Sequence, residues 1–140
     1  MKAQDDLQKI LTYEAVLECK EEELARLKSL AEKITANMDG EVVSSSKNLD
    51  PLGEAWVRVE EKEREIETLK ENYQQLKSFY IDIIDNLRKP VFIKILYGKY
   101  FFGKTLQEIA DDEGYTYRNI CYLHGNALQA VENTAKKNEV

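Results

Sequence analysis

A chain of 140 residues is long enough for one compact domain, or for a small domain plus an extended element. Its net charge of −6 is unevenly placed. Residues 1–74 hold 11 Lys and Arg against 18 Asp and Glu, while residues 75–140 hold 9 against 8, so any nucleic-acid contact belongs to the second half. No apolar run is long enough for a membrane span, the start MKAQDDLQKI lacks a signal peptide's apolar core, and Cys19 and Cys121 are too far apart for a metal-ligand motif. A cytoplasmic protein with unpaired thiols, no metal and no cofactor is expected.

The first segment, roughly Gln4 to Thr35, reads as one amphipathic helix. Ile10, Leu17, Leu24 and Ala31 recur every seven residues, and Tyr13, Lys20, Leu27 and Ile34 follow three behind. This is a heptad seam with one blemish, Lys20. Residues 37–53 then mix Gly, Ser, Asn, Asp and Pro without helical period and predict a loop. A second long helix is predicted from about Gly53 to Leu87. Its seam is Leu52, Val59, Ile66, Tyr73, Tyr80 and Leu87, followed by Ala55, Lys62, Leu69, Leu76 and Ile83. Two seams joined by a loop predict an antiparallel hairpin, and the same seams allow pairing with a second chain. Both are expected here.

Pro90 sits where a third helix would begin, at the position where a missing N–H costs nothing. Val91, Phe92, Ile95 and Leu96 give it a buried stripe. Tyr97, Tyr100, Phe101 and Phe102 read as core aromatics, and Gly103 ends the helix.

The stretch that bears on function follows. Thr105 with Glu108 three residues later makes a capping box. Ile109 and Ala110 point inward. Gly114 supplies the positive φ that a tight turn needs. Thr116 caps the next helix, whose inward face is Ile120, Leu123, Ala127 and Val131. An apolar pair, a small residue, a glycine four later and two capped helices predict a helix-turn-helix over Thr105 to about Ala130.

If the second of these helices enters a major groove, Thr116, Tyr117, Arg118, Asn119, Cys121 and Tyr122 meet the bases. Arg118 can donate two parallel bonds to guanine and Asn119 can pair with adenine. Lys99 and Lys104, and more weakly Lys94, can clamp phosphates, and the N–H groups opening the Thr105 helix can do the same. Asp111, Asp112 and Glu113 are awkward beside DNA, and they oppose the dipole at their helix's C-terminal end. His124, the only histidine, reads as a packing or surface residue.

The whole chain resembles small phage-associated regulators with a sigma-70 region-4-like C-terminus, of the RinA/ArpU type. The stretch LYGKYFFGKTLQEIADDEGYTYRNICYLHGNALQAVE carries the resemblance, and GYTYRNICYLHGNAL is its most specific piece. The resemblance implies a reader of double-stranded promoter DNA that acts with host RNA polymerase, and Thr116, Tyr117, Arg118, Asn119 and Tyr122 are the positions that carry over. Relatives often have basic or longer polar residues where this chain has Cys121 and Asn126.

The expected architecture is all-α: a coiled-coil hairpin over residues 1–87, then a four-helix region over 88–140 ending in the helix-turn-helix. The expected function is sequence-specific transcription regulation as a homodimer. The alternative is a protein-interaction module that uses the same fold and the acidic coiled coil to bind RNA polymerase or another protein without DNA. With no phosphate loop and no nucleophile–base constellation in the sequence, an enzyme is not expected.

Overall fold

The computed structural model describes residues 1–37 and 51–138. Their regular elements are all α-helices: α1 (Lys2–Asn37), α2 (Pro51–Asp85), α3 (Pro90–Tyr100), α4 (Leu106–Glu113) and α5 (Tyr117–Asn138). The all-α class and the long N-terminal helix are as the heptads predict. Most of the expected loop, including the serine run, lies outside the described residues. Its last three residues, 51–53, form the first turn of α2, where Pro51 is at the helix position that tolerates proline best. Among the described residues, three helices rather than four follow residue 88. α5 runs unbroken through Gly125. A lone glycine costs a helix about 1 kcal/mol, and the buried stripe on either side of it offsets that.

Two compact units divide the chain: Ala15–Asn72, and Met1–Glu14 together with Tyr73–Val140. The boundary expected after residue 87 therefore falls inside a unit. Hydrogen bonds explain the grouping. The buried Glu132 carboxylate of α5 accepts from the Ala3 backbone N–H at 2.7 Å, which caps the start of α1. The Tyr97 hydroxyl of α3 donates to Asp85 at 2.6 Å.

In the Ala15–Asn72 unit, α1 and α2 pair in antiparallel order. Leu27 and Ala31 pack with Ala55 and Val59, with Leu24 and Ile34 against them, while Glu21 pairs with Lys70 at 3.3 Å. The two lysines that interrupt the seams reach one carboxylate. Lys20 and Lys62, both half-buried, pair with Glu65. These partners, Lys20 first, hold the Glu65 carboxyl below its ordinary pKa.

In the other unit, the Tyr80 hydroxyl donates to Asp6 at 2.6 Å and the Tyr73 hydroxyl to Glu14 at 3.2 Å. In both units every seam position named above is buried or half-buried. Helices α3, α4 and α5 pack on one another around Ile95, Ile109, Ala110 and Ile120, joined by Val91, Leu106 and Leu123. Gly98 sets the approach of α4 to α3, because a Cβ there would stand 3.1 Å from Ile109 Cδ1.

Candidate nucleic-acid interface

The α4–α5 segment is built from its caps. Thr105 Oγ1 accepts from the Glu108 N–H at 3.1 Å, and the Glu108 carboxylate accepts from the Thr105 N–H at 3.3 Å. The capping box is therefore complete. Its carboxylate sits at the helix start that the sequence offered to a phosphate. Gly114 ends α4 with φ 74°, and its N–H returns to the Ala110 carbonyl. Two residues on, Thr116 Oγ1 accepts from the Asn119 N–H at 3.1 Å and caps α5. Ile109, Ala110 and Ile120 are buried. These restraints fix how the first turns of α5 leave the turn.

Those turns present polar and aromatic side chains outward. Thr116, Tyr117, Arg118, Asn119 and Tyr122 are all exposed, Tyr117 by 51% and Tyr122 by 68%. Two of the five are already engaged. The Thr116 oxygen holds the cap, and the Tyr117 hydroxyl shares a hydrogen bond with the half-buried Cys121, which raises the tyrosine's pKa. Arg118, Asn119 and Tyr122 remain. They are neighbours at helical spacings of three and four, and no described residue forms an ion pair with Arg118.

The lysines are placed differently from one another. Lys99 is half-buried with its ammonium 5.6 Å from the Tyr100 ring centre. Lys104 pairs with Asp112 at 2.9 Å, and Lys94 pairs with Glu113 at 3.2 Å. Asp112, through its hydrogen bond, raises the Lys104 pKa. The acidic end of α4 thus lies against lysines assigned to phosphate. Both pairs border an apolar groove of about 310 Å³ between α3 and α4, lined also by Ile93, Tyr97, Phe102 and Ile109. Phe102 is 67% exposed. A second, more open groove of about 470 Å³ carries Lys99, Lys104, Thr105, Gln107 and Tyr117 along its edge.

Behind this surface lies a contact that the sequence reading missed. His124 is 9% exposed and shares a 2.8 Å hydrogen bond between Nε2 and the Tyr100 hydroxyl. Burial first, and then the Lys99 ammonium, push the imidazole down to about 4. Burial raises the Tyr100 phenol to about 12. The α5 period could have exposed both His124 and Glu132. They fall on the buried stripe of Ile120, Ala127, Leu128, Val131 and Ala135, where a polar side chain requires a partner.

Among the described residues no helix is long and apolar enough to cross a membrane, and no group of three or more His, Cys, Asp or Glu side chains is placed to hold a metal ion. No protein-family model, no curated protein and no solved structure matches the chain.

Proposed function

We propose that α4, the Gly114 turn and α5 form a helix-turn-helix that reads double-stranded DNA, and that the protein is a sequence-specific transcription regulator. The observation that carries this reading is the outward set Arg118, Asn119 and Tyr122 on the first turns of α5, held behind a doubly capped glycine turn. Helices that enter the major groove contact base edges with their N-terminal residues. Arginine and asparagine are the side chains that pair in two-bond fashion with guanine and adenine. The resemblance to phage regulators with a sigma-70 region-4-like end extends the proposal to phage or prophage genes and to action with host RNA polymerase. A homodimer held by its helical hairpin, a coiled coil, would set two reading helices about 34 Å apart, one DNA turn, and would compensate for a small basic surface.

A second reading is a protein-binding module. The groove between α3 and α4 favours it, because its apolar floor and exposed Phe102 are bordered by lysines already neutralised by α4.

Arg118→Ala separates the two. Titrated against a duplex recovered from a random-sequence pool, the variant should lose about 1–3 kcal/mol of binding and its preference at one base pair, with an unchanged melting temperature. Unaltered affinity and preference would remove Arg118 from the reading surface.

A further inference from the structure

Asp111, Asp112 and Glu113 are poorly placed for a DNA-binding surface, yet they are not equivalent. Asp111 accepts from the Gln107 side chain at 2.9 Å. Asp112 and Glu113 each hold a lysine, Lys104 at 2.9 Å and Lys94 at 3.2 Å. Lys104 immediately precedes the Thr105 cap and borders the groove that runs past Tyr117 towards the start of α5. A phosphate on that side would compete with the Asp112 carboxylate for the same ammonium group.

We infer that Asp112 acts as an internal phosphate mimic, an autoinhibitory contact that neutralises Lys104 in the free protein and attenuates its grip on the DNA backbone. The inference rests on the DNA-reading proposal above. Its physical basis is ion exchange. A free lysine that meets a phosphate releases the cation condensed there, which is the source of salt-dependent affinity. A lysine that stays on its carboxylate neutralises no phosphate and releases no cation, so the pair withholds one contact from that count. Both partners of the pair are solvent-exposed, with 43% of the Lys104 and 53% of the Asp112 side-chain surface accessible. The contact is therefore exchangeable, and it adjusts affinity without closing the site.

The test uses the full chain and a random-sequence DNA duplex, since phosphate contacts carry no sequence information. Asp112→Asn should bind more tightly than wild type at low salt. Its plot of log affinity against log salt should steepen by about 0.9, so that it loses about threefold more affinity than wild type between about 50 and about 200 mM salt. Asp111→Asn removes the same charge from a carboxylate that holds no lysine, and its slope should match wild type. In a Lys104→Gln background the gain from Asp112→Asn should vanish. Equal slopes for Asp112→Asn and Asp111→Asn, or a gain that persists without Lys104, would overturn the inference while leaving DNA reading intact. Failure of both wild type and Asp112→Asn to bind the duplex at low salt would overturn DNA reading itself, and the inference with it.

Discussion

His124 shows what a single buried polar side chain contributes and what it risks. Its bond to the Tyr100 hydroxyl joins α5 to α3, and it has little access to water. In an unfolded chain the imidazole titrates near 6.5, whereas folding moves it down to about 4. Between those values the unfolded state binds a proton that the folded state refuses, so stability falls as pH drops through that window. The loss is bounded at about 3 kcal/mol. Melting temperature should therefore decline between about pH 6.5 and 5, above the range where Glu23 and Glu65, both with lowered pKa, begin to take up protons. His124→Gln keeps a partner for the Tyr100 hydroxyl and should flatten that decline. Identical pH profiles for the variant and wild type would remove His124 as the cause. At Arg118 the residue scale is simpler, because an exposed arginine beside Asn119 on a capped helix is visible from composition and spacing alone. What spacing does not show is that Thr116 and Tyr117 are already engaged within α5.

At the scale of elements, two glycines do opposite work. Gly114 has open space around it and a φ of 74°, so its constraint is the backbone. Gly98 lies in a helix, and its constraint is the Ile109 side chain at 3.1 Å. Asparagine tolerates the left-handed conformation, so Gly114→Asn should cost less than about 1 kcal/mol. Gly98→Val must displace the Ile109 side chain packed against it and should cost about 1–3 kcal/mol, with a β-branched residue adding strain. Chemical denaturation of both variants would check this, and a larger loss at Gly114 would reverse the assignment. Much of this scale was legible in the sequence. Thr105 with Glu108, Gly114 and Thr116 name their own conformations, and each heptad seam names its buried face. The convergence of Lys20 and Lys62 on Glu65 was not legible, because it depends on the relative register of two helices. Nor was the Glu132 cap on Ala3, which joins residues 129 positions apart. Local patterns specify faces and caps; they do not specify which distant helix lies across from them.

For the whole molecule, charge sets the main constraint on the proposed function. A chain of net charge −6 must bind a polyanion through a half whose balance is only slightly positive, and two of its lysines are paired with α4. Non-specific attraction to DNA should therefore be weak, and under the DNA-reading proposal selectivity would come from Arg118, Asn119 and Tyr122, with the proposed homodimer doubling the contacts. Sequence patterns separated an acidic hairpin from a neutral C-terminal part, but the compact units cut across that division because the ends of α1 and α2 bond to α5 and α3. The decisive measurement is the dissociation constant of the full chain for a duplex recovered from a random-sequence pool, set beside that of its scrambled counterpart, from about 50 to about 200 mM salt. A DNA-reading regulator should prefer the recovered duplex by about a thousandfold or more, with both affinities falling as salt rises. Equal affinities for the two duplexes, or no binding to either at the lowest salt, would contradict DNA reading.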